Sequence, residues 1–89
     1  MTSAYIPARM MGGIRRYVDH GVQPGDFLTA VICNDLRGAC ERADSENEPI
    51  ISHYVRHFYN EEPATCWGSR EKMDFWLEQH AAKRAEETT

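Results

Sequence analysis

Two histidines spaced four apart, His53 and His57, and three cysteines, Cys33, Cys40 and Cys66, are the residues of this 89-residue chain best equipped for chemistry. On a helix, two imidazoles at i and i+4 can share a metal ion, and a thiolate could complete a tetrahedral zinc site. The pattern stops short of a zinc motif, because there is no Cys-x-x-Cys pair and no Glu follows His53. The apolar residues of the same segment fall on the opposite face, so both histidines are expected at the surface, and no metal or other cofactor is assigned. Cys33 and Cys40 are expected on one helix. At about 1.5 Å of rise per residue they stand too far apart to bridge each other, and both read as small buried apolar groups. As a nucleophile, Cys66 would need a base such as His57 or His80 and a depressed thiol pKa. Beside a large aromatic in a loop it reads as structural, so no catalytic residue is assigned.

The charged residues suggest binding. Ten Lys plus Arg against fourteen Asp plus Glu give a net charge of −4. Arg9, Arg15 and Arg16, opposed by Asp19, make a weakly basic start to an acidic body. That balance argues against general nucleic-acid binding, which needs many cations to displace phosphate counterions. It leaves Arg9, Arg15 and Arg16, with Tyr17 and the nearby Tyr5, as a candidate face for an acidic partner. Asn34, Asp35, Arg37 and Asp44 interrupt an apolar stripe. They either face water or reach a helix end and satisfy its orphan backbone groups.

Positioning these residues falls to helices. At 10.2 kDa, with 42% hydrophobic and 27% charged residues, the chain has the composition of one small globular domain. No segment alternates with period 2, whereas apolar residues recur at helical spacing almost throughout. The expected fold is all-α, a compact four-helix single domain spanning 1–89 with an ordered loop before the last helix. The first helix runs from Pro7 to His20 with Met11, Ile14, Tyr17 or Val18 on one face, and Gly21 stops it in a left-handed conformation. A long second helix opens near Pro24 and reaches Arg42 to Asp44, its stripe made of Leu28, Ile32, Leu36, Ala39, Cys40 and Ala43. Pro49 starts a third, carrying Ile50, Ile51, Tyr54, Val55, Phe58 and Tyr59. Residues 60–68 form the loop, from which Trp67 plugs the core. Ser69 is the expected N-cap of a fourth helix whose Met73, Trp76, Leu77 and His80 share a face. Trp67, Ser69 and Trp76 are thus the structural residues; the ordered core spans about 7–80, and 81–89 are expected to fray.

The pattern Pro24-Gly-Asp-Phe-Leu-Thr-Ala-Val31, Asn34-Asp-Leu36, Arg42-Ala-Asp44 with Asn47, Tyr59-Asn60, and Cys66-Trp-Gly-Ser69 with Glu71 and Trp76 resembles a family of small uncharacterised prophage and mobile-element proteins. It extends from about Gly13 to Trp76, with Asn34-Asp35 and the Cys-Trp-Gly-Ser turn as its signature. The resemblance implies a genomic setting and no active site: accessory phage products, a class rich in small inhibitors of host functions and host defence.

The resulting expectation is a non-enzymatic interaction protein that binds a host or phage protein. Two Trp, four Tyr and three Phe on so small a domain also allow a homodimer. The alternative is a DNA-associated regulator, since two helices joined by Gly21 to Gln23 loosely resemble a helix-turn-helix. Its reading face would offer Asp35, Arg37, Glu41, Arg42 and Asp44, a mixed surface. No stretch approaches the roughly 18 to 20 apolar residues of a membrane span, and the start lacks the pattern of a secretory signal. With an odd number of cysteines, the expected location is the cytoplasm of a bacterial host.

Overall fold

The computed structural model describes residues 5–88. Five α-helices follow one another: α1 (Ala8–His20), α2 (Asp26–Ile32), α3 (Leu36–Arg42), α4 (Ile51–Glu61) and α5 (Arg70–Thr88). Short 3-10 turns at Glu48–Ile50 and Ala64–Cys66 lead into the last two. The described residues contain no strand, so the all-α class holds while the expected count of four becomes five.

The extra helix comes from a break inside the expected long second helix. Asn34 adopts φ 61°, its N–H bonding to the Val31 carbonyl at 3.1 Å, and the Asp35 N–H reaches back to the Ala30 carbonyl at 2.8 Å. These two bonds are the Schellman arrangement, in which a left-handed residue turns the chain and satisfies the last carbonyls of a helix. Asn is one of the few non-glycine residues that visits this region at low cost. Asp35 then opens α3, its Oδ1 accepting the Gly38 N–H at 3.0 Å. Asn34-Asp35 is therefore a stop followed at once by a start. Replacing Asp35 by Ala should cost about 1 kcal/mol through loss of this cap. In a domain of this size that is about 4–8 °C in Tm, readable by thermal melting.

The other boundaries follow local chemistry. Pro7 precedes α1, and Gly21 ends it at φ 66° with its N–H on the Tyr17 carbonyl. Ser69 caps α5, its Oγ accepting the Lys72 N–H at 3.1 Å. The core gathers Ile14 and Tyr17 of α1, Ile32 of α2, Tyr54 and Phe58 of α4, Cys66 and Met73, all withdrawn from solvent. Trp67 packs partly buried on this core, its ring 6.0 Å from that of Phe58. The Gly68 N–H bonds to the Ile32 carbonyl at 2.7 Å and fastens the loop to the end of α2. From α5, Trp76 Nε1 donates to the Tyr17 carbonyl at 3.1 Å. Helix α5 continues past residue 80, where its apolar stripe ends, as far as Thr88; Arg84 Nη1 donates to the His20 carbonyl at 2.6 Å. No helix among the described residues is long and apolar enough to cross a membrane.

Candidate interaction surface

Helix α4 has two distinct faces. Tyr54, His57 and Phe58 point into the core, while Ser52, Val55, Arg56 and Tyr59, at i, i+3, i+4 and i+7, point outward. The outward face carries two exposed large apolar side chains: Tyr59 is 77% exposed and Val55 41%. Across from it, the break at Asn34 places Leu36 in the first turn of α3, 68% exposed. Leu36, Cys40, Pro49, Ile51 and Val55 line a groove of about 580 Å³ between α3 and α4, together with Glu48, Ser52 and Arg56. Leu36 and Cys40 were expected in the core stripe of one continuous helix. Both lie at the surface, because the new start at Asp35 rotates α3 out of phase with α2.

The residues expected to bind a partner do not form one surface. Arg9 Nη2 pairs with Asp44 at 3.1 Å and Glu46 at 2.5 Å. These hydrogen bonds raise the guanidinium pKa further, while Asp44 is held below the usual carboxylate range first by the Asn47 N–H and then by Arg9. Arg15 clamps Glu62, with Nη1 3.0 Å from Oε2 and Nη2 2.9 Å from Oε1, and its Nε lies 3.3 Å from Asp19. Arg16 is exposed and pairs with no described acidic residue. Tyr17 is fully buried, its hydroxyl donating to the Cys66 carbonyl at 2.7 Å, and burial pushes its phenol pKa up. It belongs to the core and offers no surface to a partner. The expected basic face is neutralised internally, because two of its three arginines meet carboxylates from distant parts of the chain.

The histidines separate as well. His53 stacks on Tyr5, with ring centroids 4.3 Å apart. His57, expected at the surface, is buried instead, and its Nε2 lies 2.6 Å from Glu62 Oε2. No group of three His, Cys, Asp or Glu among the described residues is arranged to hold a metal. Sequence reasoning missed Glu62, whose carboxylate joins His57 to Arg15; it sits one residue past α4, outside any periodic pattern. It also missed Asn47, a buried residue whose Oδ1 accepts the Tyr54 hydroxyl at 2.6 Å.

The three thiols occupy different environments. Cys40 is exposed in the groove, Cys33 lies 3.5 Å from the Met73 sulfur, and Cys66 is buried. Burial pushes the Cys66 thiol up to about 11 and the Tyr54 hydroxyl up to about 12. Both groups fold in their neutral forms. Their contribution to stability is therefore complete below their unfolded pKa values, and is lost as pH rises from about 9 through 11 for Cys66 and from about 10 through 12 for Tyr54. Thiol-specific labelling at pH 8 should modify Cys40 first and leave Cys66 unmodified until the protein unfolds in urea. Mass mapping of the labelled peptides checks the order.

Compared with protein-family models, with curated proteins and with solved structures, the chain matches none.

Proposed function

We propose that this chain is a non-enzymatic interaction protein and that its contact surface is the α3–α4 face. The supporting observation is the exposed Leu36 and Val55 lining one groove, with exposed Tyr59 on the same outward face of α4. Apolar groups clustered on one face, with a groove for a complementary side chain, have the features of a protein-binding patch. The setting that the sequence pattern resembles, accessory proteins of prophages and mobile elements, would make the target a host or phage protein, with inhibition of a host or defence function as the consequence. A duplex-reading role for α3 has less support: Arg37 has Glu41 beside it on the same helix at 3.1 Å, so the face offers mixed charge to phosphates.

The test compares tagged wild-type protein with Leu36→Asp in a bacterial lysate that also contains the untagged chain. The wild type is expected to retain a stoichiometric protein, and Leu36→Asp to lose at least about 90% of it, since a buried charge at an apolar contact is strongly unfavourable. Leu36 is exposed, so the variant should melt within a few degrees of the wild type. Equal retention by both would remove the α3–α4 face from consideration.

A further inference from the structure

Resting on that reading of the α3–α4 face, we propose that its occupant is a second copy of the chain, related by a two-fold axis passing near Ser52. A two-fold interface must be self-complementary, because each patch meets its own copy turned around. The groove lining has that property. Glu48 in the 3-10 turn, and Ser52 and Arg56 one turn apart on α4, all line the same groove. Ser52 lies between the other two in the chain, with the acid on the side of the 3-10 turn and the base one helical turn, about 6 Å, along α4. When two such segments run antiparallel through Ser52, each Glu48 meets the Arg56 of the other copy.

Among the described residues Glu48 and Arg56 form no ion pair, whereas Arg9, Arg15 and Arg37 each do. The small Ser52 permits close approach of the two helices at the axis. On either side Val55 and Leu36 are positioned to exchange contacts across the groove. The groove charges supply register, and the apolar residues between them supply affinity.

Sedimentation equilibrium at about 100 µM decides the proposal. Wild-type protein is expected at twice 10.2 kDa. Arg56→Glu and Glu48→Arg each place like charges opposite one another and should weaken self-association at least about ten-fold. The double variant restores opposite charges and should recover the wild-type mass. In a Cys40→Ser background, Ser52→Cys should form a covalent dimer when oxidised glutathione is added, because the two introduced thiols meet at the axis. A monomer at all concentrations, or a double variant that stays as weak as the singles, overturns the proposal. If the protein is monomeric while Leu36→Asp still releases a different captured protein, the α3–α4 contact face stands and the second copy is ruled out as its occupant.

Discussion

Replacing Glu62 by Ala is expected to destabilise the fold by about 2–3 kcal/mol, the usual cost of leaving a buried polar group without its hydrogen-bond partner. The carboxylate and the His57 ring are each only 3% exposed, and their contact at 2.6 Å lies where water cannot replace it. Arg15 closes the other side through two hydrogen bonds from a side chain that is 43% exposed. The variant therefore strips Nε2 of His57 of its carboxylate within the core, while the Arg15 head can turn to solvent. Arg15→Ala leaves a carboxylate that is only 3% exposed without its guanidinium, so it should cost at least as much as Glu62→Ala, and Glu62→Gln, which keeps the shape and one acceptor, should cost least. For an 89-residue domain, whose total stability is about 4–13 kcal/mol, the Glu62→Ala loss is a large share. Urea unfolding of the three variants gives the comparison; an Arg15→Ala midpoint close to that of the wild type would show that the guanidinium adds little to holding the buried carboxylate.

The second large effect concerns the backbone. Gly21→Ala should cost about 2–4 kcal/mol, from two sources that can be separated. At φ 66° any Cβ is strained by about 1–2 kcal/mol, and here the added carbon would also overlap the Cβ of His80. Because His80 Cβ is fixed to α5, no rotamer change relieves the overlap, and the end of α1 has to move away from α5. That movement strains the Arg84 bond to the His20 carbonyl and the Trp76 bond to the Tyr17 carbonyl. Combining Gly21→Ala with His80→Gly removes the steric part and leaves the conformational part, so the interaction energy of the double-mutant cycle should exceed about 1 kcal/mol. Gly25→Ala is the matched control: nothing lies within 4 Å of its added Cβ and its φ is −67°, so a change of less than about 0.5 kcal/mol is expected. Equal losses at Gly21 and Gly25 would show that the α1–α5 approach is not tight.

Much of the helical plan is legible in the sequence. Pro7, Gly21 and Ser69 mark real ends, and Trp67 does pack on the core from its loop. The break at Asn34-Asp35 was not legible, because the apolar stripe of α2 continues in register through Leu36, Ala39 and Cys40. Periodicity alone favours one long helix there, and the left-handed turn interrupts it without changing the pattern. The exposed apolar face was hidden for the same reason: Leu36 and Cys40 count as core residues in a continuous helix and emerge at the surface only when α3 restarts.

The sequence by itself determined the all-helical class, most helix ends and the loop that carries Trp67, because caps, turns and periodicity depend on residues within about four positions of one another. Only the tertiary structure decided which charges and apolar groups face water. Arg9 finds Glu46 across 37 residues and Arg15 finds Glu62 across 47, separations over which no local pattern operates. Those two pairings neutralise the basic face that composition suggested, and the restart at Asp35 exposes an apolar one in its place.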